Sequence, residues 1–372
     1  MEKRIFKNLY FDIIKFFLIT LFTLSSIIWL LQAVNYLDII SEDGHSIFTY
    51  FQYSFFNLPK IISKTFLLSY FLALFFVLTL YEENNQFLIF WSNGISKINL
   101  LNKLIKLSFI FIILSLFFYL LISPTSQNKA RTIIKDSNLD FFPSLIKPKK
   151  FIDTVENLTV FINNKEGQSI EKIMLKDASN TNNIQIIIAE RGKIFNEPLR
   201  KELRLFNGKI INTNLNNKTS IINFSETSFN LQNYHTKTTT STKIQELSTQ
   251  NIIQCVENIS KRIKYDFEIF NFNKNILVDL LQELYKRFYL PFFTLLITII
   301  VSYLTLKSNL DVNYKFYKIL IFLVGIFLVV LSEISINFIT ESNILNLVSV
   351  LFFPIMFVIL YVLFRHQIKF SH

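Results

Sequence analysis

The stretch YEENNQFLIFWSNGISKINLLNK, residues 81–103, lies between two strongly apolar runs of the sequence. Its first part predicts an amphipathic helix over about residues 82–94. Phe87, Leu88 and Trp91 would lie together on one side of that helix, because side chains three or four residues apart share a face. Since an apolar run holds each end of the stretch, this short helix would lie across the ends of two membrane spans.

Gly94 and Ser96 mark the end of this helix and the start of the next one. A glycine directly after the last turn favours helix termination, and the chain restarts as a helix at about Ser96 before it enters the next apolar run. A permease needs a helix in this position to receive force from a separate ATPase. An interfacial helix that only covers the membrane surface would have the same pattern, so this stretch alone leaves both interpretations open.

The composition indicates a membrane protein. The chain has 372 residues, of which 51% are hydrophobic and 16% aromatic, and a soluble protein of this composition would aggregate. A net charge of +11 would also suit nucleic-acid binding, but the basic residues lie in tails and short loops beside apolar runs, which favours membrane orientation. The single cysteine, Cys255, excludes an intramolecular disulfide and a cysteine-based metal cluster.

Six apolar runs are long enough to cross a hydrocarbon core of ~30 Å at ~1.5 Å per helical residue. Three of them precede a long polar insert and three follow it. This order predicts an N-terminal membrane half (1–127), an inserted domain (128–286) and a C-terminal membrane half (287–372). Basic residues precede the first run but no small-residue cleavage site follows it, so we expect this span to remain in the mature protein. The predicted spans are residues 16–37, 65–81 with an extension back through Ile61 in which Lys64 snorkels, 107–127, 288–306, 319–340 and 344–364.

The distribution of Lys and Arg predicts that both termini are cytoplasmic. In that orientation most basic residues of the tails and short loops lie inside, whereas the short outer segments hold only Lys60 and Lys64. The helix at residues 82–94 is then cytoplasmic, and the polar insert lies on the opposite, periplasmic side.

The insert consists of short β-prone runs. Several of them alternate between apolar and polar residues, and polar turn residues separate them. Asn207 and Gly208, between two of these runs, predict a two-residue hairpin turn. The pattern predicts one antiparallel β domain, built as a sandwich, a jelly roll or an open barrel. The predicted strands are residues 158–162, 170–175, 184–189, 202–206, 209–212 and 220–224.

No set of residues indicates catalysis. The chain lacks the phosphate-binding motif G-x-x-x-x-G-K-[ST], and its four histidines are far apart, so we expect no enzyme activity, nucleotide site, metal site or other cofactor. Glu333 is the one acidic residue inside a predicted span, which makes it a functional candidate. Its place near the outer end of that span favours an interfacial or helix-pairing role over proton transfer.

Four strings carry a family resemblance. FLIFWSNGIS at 87–96 joins a short hydrophobic helix to a Gly/Ser ending, and ELYKRFYLP at 283–291 places a Glu, a basic pair and a Pro at the start of span four. With WLLQAVNYLDII at 29–40, AERGKI at 189–194 and the six spans, the chain resembles the LptF/LptG family, the permease subunits of the lipopolysaccharide export machine. The last two strings look more like LptF than LptG. The resemblance implies an integral membrane α-helical protein: six transmembrane helices (3+3) with an inserted, jellyroll-like periplasmic antiparallel β domain.

The resemblance implies that the short cytoplasmic helix couples the permease to an ATPase. By spacing back from Gly94, the family's acidic residue falls at Gln86, whereas Glu82 and Glu83 lie about one turn earlier. Either the charge has moved to Glu83 or the helix start is shifted by a turn. The implied coupling residues are Glu83, Gln86, Phe87, Trp91, Gly94 and Ser96.

The resemblance also implies a substrate and partners. This subunit would pair with an LptG-like subunit in the bacterial inner membrane, above two copies of the LptB ATPase, and would pass lipopolysaccharide to an LptC-like periplasmic protein. The lipid would enter through lateral gates formed by spans one and five. Lys and Arg near the outer ends of spans would suit its phosphates, and would equally suit ordinary snorkelling at the interface. The candidate rim and gate residues are Lys129, Arg131, Lys286, Arg287, Gln32 and Glu333.

Other classes stay open on the residues alone. An ABC-type permease or regulator of the MacB or FtsX kind also places a domain between spans, but usually has four spans. A membrane-anchored sensor that binds a ligand through its β domain would normally need only one or two, and a membrane enzyme would need a catalytic set. Co-purification with an ATPase and a second six-span subunit would favour export, whereas a sensor predicts neither.

Overall fold

A computed structural model describes residues 2–37, 46–137, 148–155, 157–180, 183–197, 200–214, 219–230, 243–260, 275–340 and 342–370. The end of the string at 29–40, from Asp38 onward, lies outside these described residues. The chain forms two compact units, each described below by itself. One comprises Met1–Leu30, Asn57–Asn128 and Lys243–His372, and the other comprises Leu31–Phe56 and Lys129–Thr242.

Six helical segments among the described residues are long and apolar enough to cross a membrane, which confirms the six predicted spans. Spans one, two, five and six are α1, α2, α9 and α10 in the numbering below. Span three joins α4 to α5 through a π-helical turn, Phe118–Ile122, and span four joins α7 to α8 through a 3-10 turn at Pro291. The helices are α1 (Glu2–Asn35), α2 (Ile47–Glu83), α3 (Phe87–Ser92), α4 (Lys97–Phe117), α5 (Ser123–Ser137), α6 (Thr249–Ser260), α7 (Asn275–Tyr289), α8 (Phe293–Ser302), α9 (Tyr314–Ser335) and α10 (Asn343–Phe370).

Helix α2 is much longer than the predicted span 65–81. It begins at Ile47 and continues through Pro59, Lys60 and Lys64, which interrupt the apolar run without ending the helix. The Ser63 hydroxyl donates to the carbonyl oxygens of Pro59 and Lys60, each at 3.0 Å. Lys60 and Lys64, which the sequence placed in an outer segment, are therefore helical, and their spacing of four residues puts them on one face.

Helix α8 forms the centre of the membrane-helix unit. Every residue of Phe293–Ser302 is buried. The hydroxyl groups of Tyr70 on α2 and Thr298 on α8 lie 2.7 Å apart, and Gly325 of α9 packs so closely on Phe71 that an added Cβ would lie 2.1 Å from the ring. In contrast, α1 and α10 leave much of their apolar surface exposed, so lipid or a second subunit can cover them.

The insert contains one antiparallel sheet of six strands, in which each strand pairs with the next along the chain. This confirms the predicted antiparallel β domain, with a meander order among the described strands. The predicted hairpin at Asn207 and Gly208 is wrong, because both residues lie inside one long strand, β5. The strands are β1 (Phe151–Val155), β2 (Leu158–Glu166), β3 (Ser169–Asn180), β4 (Asn183–Glu197), β5 (Arg200–Asn214) and β6 (Thr219–Asn230).

The Asn207-Gly208 pair forms a crease across the sheet. Lys172 and Asn207 adopt left-handed conformations inside β3 and β5, with φ of 50° and 51°, and Glu190 of β4 lies between them in the register. The register is the same on both sides of this line, but the inward-facing alternation shifts by one residue. A Cβ on Gly208 would lie 2.2 Å from the Ile188 carbonyl oxygen, so this position needs glycine. The left-handed residues therefore change which side chains face inward without ending the strand, and this pair does not form a turn because β5 continues through it, paired with β4 and β6.

Candidate functional site

The end of α2 differs from the predicted helix over residues 82–94. Glu82 and Glu83 belong to the last turn of α2, and Asn85 adopts a left-handed conformation with φ of 55°. The Asn85 amide donates to the Glu82 carbonyl at 3.0 Å, and the Gln86 amide donates to the Tyr81 carbonyl at 2.8 Å. This is a Schellman-type helix end, formed at an asparagine because its short polar side chain tolerates this conformation. The short helix α3 therefore begins at Phe87.

A second Schellman-type end closes α3. Gly94 has a φ of +73°, its amide donates to the Trp91 carbonyl at 3.0 Å, and the Ile95 amide donates to the Phe90 carbonyl at 3.1 Å. This confirms that Gly94 ends the helix. A Cβ on Gly94 would meet no atom within 4 Å, so the backbone conformation alone favours glycine here.

Helix α3 has one buried face and one exposed face. Phe87 and Phe90 are buried, and their ring centroids lie 5.7 Å and 6.4 Å from that of Tyr81. Leu88 is 62% exposed and Ile89 is 53% exposed. The expectation that Leu88 shares the side of Phe87 is therefore wrong. The buried residues are Phe87 and Phe90, three positions apart, and the two residues between them face outward. An exposed Leu-Ile pair on a held helix is suited to contact with a partner protein.

Side chains from α1 hold this face in place. Phe6 of α1 packs edge-on against Phe90, with 5.5 Å between the ring centroids. Within α3 itself, Trp91 stacks on Phe87 with a centroid distance of 5.8 Å. The Tyr81 hydroxyl donates to Asp12 Oδ2 at 2.6 Å. Aromatic packing and a hydrogen bond to a carboxylate therefore fix α3 against spans one and two.

The start of α4 fixes the other end of α3. The Ser96 hydroxyl accepts a hydrogen bond from the Asn99 amide at 3.2 Å, as a helix N-cap does. Lys97 Nζ donates to the Leu306 carbonyl at 3.0 Å, which ties the start of α4 to the end of span four.

The acidic residues before α3 bind other parts of the protein. Glu82 is buried and accepts a hydrogen bond from the Asn309 amide at 3.1 Å, and Glu83 forms an ion pair with Lys318 of α9 at 2.6 Å. Gln86 occupies the N-cap position of α3, and its side chain makes no capping hydrogen bond. The two acids thus link α2 to the turn after span four and to span five.

That turn, residues 307–313, was missed by the sequence analysis. Leu310 is 86% exposed and Val312 is 98% exposed. The available signal was two aliphatic side chains in an otherwise polar connection, KSNLDVN. Exposed aliphatic residues in a turn bound by Glu82 extend the surface that a partner can contact.

Arg287 is buried and its guanidinium group joins α7 to the segment that precedes and begins α6. Its side chain is 1% exposed, and its Nε donates to Glu283 Oε1 at 3.0 Å. The guanidinium also donates to the carbonyl oxygens of Leu247 and Gln245 and to the Thr249 hydroxyl, at 3.1, 3.2 and 2.9 Å. The expectation of an exposed rim residue is therefore wrong for Arg287, because protein oxygens already occupy its donors.

Lys286 lies in a small cleft with two lysines that the sequence analysis did not propose as site residues. The cleft is lined in part by Lys60, Lys64, Tyr119 and Lys286, and its volume of about 10 Å³ suits a single water molecule. Lys286 Nζ lies 3.4 Å from Glu283 Oε2. The signal for Lys60 and Lys64 was their i, i+4 spacing, which becomes informative only once the segment is known to be helical.

The remaining candidate residues lie on separate elements. Lys129 is exposed and Arg131 is half-buried on α5, within the unit that contains the sheet. Gln32 of α1 accepts a hydrogen bond from the Tyr36 hydroxyl at 3.2 Å. Glu333 is exposed on α9, within the membrane-helix unit. A basic rim that includes Lys129 and Arg131, and a gate that includes Gln32 and Glu333, stay predictions.

Residues 7–366 match the family described as lipopolysaccharide export system permease LptF/LptG. The chain belongs to this family. The match covers all six spans and the sheet between them, so the membrane helices and the β insert are parts of one LptF/LptG permease fold.

A curated relative gives a weaker likeness. The LptF/LptG chain is 24% identical over 189 residues to the uncharacterized protein RP871 of Rickettsia prowazekii (strain Madrid E). The aligned part covers 49% of this chain and 51% of that protein, so the chain spans about half the length of the curated relative it matches.

Proposed function

We propose that this chain is the LptF-like member of a pair of permease subunits that extract lipopolysaccharide from the bacterial inner membrane. A separate LptB-like ATPase, present in two copies, would drive the pair, and an LptC-like protein would receive the lipid. The family supplies the substrate class. The observation that carries the mechanical part is α3, a helix held at both ends that presents Leu88 and Ile89 outward.

The packing around α3 supports a role in force transmission. Phe6 connects the helix to α1, Tyr81 connects it to α2, and Ile95 continues it into α4. Glu83 and Lys318 join the same region to α9. Because packed aromatic groups and short turns deform little, a displacement of α3 would move the ends of these spans together.

The coupling surface would comprise the outward face of α3 and the turn after span four. Leu88 and Ile89 would enter an apolar groove of the ATPase, with Leu310 and Val312 beside them or in a second contact. Phe87 and Trp91 would position the helix from behind, Gly94 and Ser96 would set its ends, and Gln86 would face the partner.

The exposed apolar surface of two helices supports the proposal of a second subunit. Helices α1 and α10 leave apolar side chains uncovered along their lengths, and an LptG-like partner together with lipid would cover them. Spans one and five would form the lateral gates. Lys129, Arg131 and Lys286 would contribute positive charge for lipid phosphates, and Gln32 and Glu333 would lie at the gates.

The proposed orientation places both termini and α3 in the cytoplasm and the sheet in the periplasm. In domain terms, residues 1–127 and 287–372 would form the membrane halves and residues 128–286 the periplasmic domain, although the part of that segment from Lys243 onward belongs to the compact unit that contains the membrane helices. The surplus of Lys and Arg on the proposed inner side supports this orientation.

Co-purification from cells that carry all native partners tests the proposal. We expect the chain, extracted in detergent, to elute with an ATPase, a second six-span subunit and lipopolysaccharide. The double variant Leu88→Ser/Ile89→Ser should lose the ATPase and keep the second subunit. A matched control is Ile221→Ser/Ile222→Ser on β6, where the side chains are 63% and 54% exposed and should leave ATPase recovery unchanged.

Two results would contradict the proposal. Elution of the unaltered chain alone would favour a membrane-anchored sensor that uses the sheet to bind a ligand. Equal ATPase recovery with the α3 variant and the β6 control would remove the coupling role from α3 while leaving the permease assignment intact.

A further inference from the structure

A groove lies between the first turns of α1 and the early part of α4, on the same side of the membrane unit as α3. Its volume is about 500 Å³. Its charged part is lined by Glu2, Lys3, Lys7 and Lys103, and its apolar part by Phe6, Tyr10, Phe11 and Ile14. The export mechanism proposed above uses none of these residues as a binding site.

The charged part of the groove suits an anion. Lys3 and Lys7 are exposed and lie one turn apart on α1, and Lys103 enters from α4. The only acid that lines the groove among the described residues is Glu2, whose Oε1 lies 3.9 Å from Lys103 Nζ. Both side chains of this pair are well exposed, so it is weak and leaves the three lysines with a surplus of positive charge.

The apolar part shows which kind of anion would fit. Lys3, Lys7, Phe11 and Ile14 follow one another along a single stripe of α1, so the groove changes from basic to apolar over roughly 16 Å at ~1.5 Å per residue. Phe11 and Ile14 are exposed rather than packed into the protein. A soluble anion would gain nothing from this wall, whereas a phospholipid would place its phosphate at the lysines and an acyl chain along Phe11 and Ile14.

The back of the groove is held firmly. The Tyr10 hydroxyl donates to the Lys103 carbonyl at 3.1 Å, which joins α1 to α4. Phe6 is buried, packs on Phe90 of α3 at 5.5 Å, and has Lys103 Nζ 5.4 Å from its ring centroid. A molecule in this groove would therefore touch a residue that also positions α3.

We propose that this groove binds one anionic glycerophospholipid from the membrane leaflet nearest the amino terminus. Lys3, Lys7 and Lys103 contact its phosphate groups, and Phe11 and Ile14 contact an acyl chain. The binding depends on no ATPase and no lipopolysaccharide, so this proposal can fail or hold independently of the export function.

Lipid retention measured on the full chain in detergent tests the proposal. The chain is mixed with phosphatidylglycerol or with phosphatidylcholine, and bound lipid is counted by native mass spectrometry alongside the shift in melting temperature. We expect retention and stabilisation with phosphatidylglycerol only. The variant Lys3→Gln/Lys7→Gln should retain roughly thirtyfold less of it, from the attraction of about 1 kcal/mol that each of the two lysines supplies near a membrane surface.

A matched control separates a site from general charge attraction. Arg4→Gln/Lys15→Gln removes the same charge from the same helix, but neither residue lines the groove, so it should retain the lipid as the unaltered chain does. Equal loss in the two variants, or equal retention of the two lipids, would overturn the proposal. Saturation of the melting shift by glycerol phosphate would also overturn it, because the site would then bind phosphate without the lipid.

Discussion

Replacing Gly94 with alanine tests how firmly α3 is held. The left-handed backbone at Gly94, with φ of +73°, costs an ordinary L-residue about 1–2 kcal/mol. No atom lies within 4 Å of the position that a Cβ would take, so steric clash adds nothing to this cost. The full effect should therefore appear as a weaker helix end. A loss of 1–2 kcal/mol raises the opened population roughly 5- to 30-fold.

Hydrogen exchange of the Ile95 amide is the most direct assay. This amide donates to the Phe90 carbonyl at 3.1 Å and closes the Schellman-type end, so its protection reports the opening of the turn. In Gly94→Ala we expect its exchange to be roughly 5- to 30-fold faster, with little change in the amides of α8.

The matched variant is Gly94→Asn, because asparagine tolerates the left-handed conformation, as Asn85 does at the end of α2. It should keep most of the protection. The reasoning is refuted if alanine leaves the exchange of Ile95 unchanged, or if asparagine and alanine accelerate it equally. In the assembled exporter, the alanine variant should also show ATP hydrolysis less tightly linked to lipid release than the asparagine variant.

Two stability predictions follow from the other constrained positions. Gly208→Ala should lower the melting temperature of the sheet more than Gly167→Ala, because its Cβ would lie 2.2 Å from a carbonyl oxygen of β4. At Gly167 a Cβ meets no atom within 4 Å, so alanine there carries only the cost of a left-handed backbone with φ of +59°, about 1–2 kcal/mol. Circular dichroism of both variants decides this, and equal shifts would contradict it. Glu283→Gln should destabilise the membrane helices by about 3 kcal/mol, the low end for breaking a buried ion pair, because Arg287 is 1% exposed and Glu283 is 14% exposed. Thermal unfolding in detergent checks this, and the exposed Glu190→Gln should stay within about 0.5 kcal/mol of the unaltered chain.

The sequence predicted the parts of the fold that depend on long regular patterns. Long apolar runs, five of them without a charge and one containing Glu333, predicted the six spans. The β-prone runs predicted five of the six described strands, with β5 split into two and β1 missed. The Asn207-Gly208 pair misled because its local preference for a left-handed backbone is the same in a turn and in a crease. Only the pairing of β5 with strands on both sides distinguishes the two, and that pairing is not local.

The site residues were harder to predict because their roles depend on partners far away in sequence. Arg287 looked like a rim cation, but the carbonyl oxygens that bind it lie about 40 residues earlier, at Gln245 and Leu247. Glu82 looked like part of a surface helix, but it binds the Asn309 amide across 227 positions of the chain. Charge and spacing identified which segments matter, and tertiary contacts decided which side chains remain available to a partner.

The contacts of α3 bear on which spans an ATPase would move. Phe6 ties it directly to α1, whereas Glu83 and Lys318 tie α9 to the end of α2 that precedes it, so one proposed gate span contacts α3 and the other is joined to the neighbouring helix end. The two links differ in kind: the first is buried aromatic packing, and the second is a partly exposed ion pair that salt weakens. If α3 drives both gates, Lys318→Gln should impair movement of span five more than movement of span one. Distance measurements between spin labels at the ends of the two spans, with and without ATP, would show this, and equal impairment of both would mean that span five follows α3 by another route.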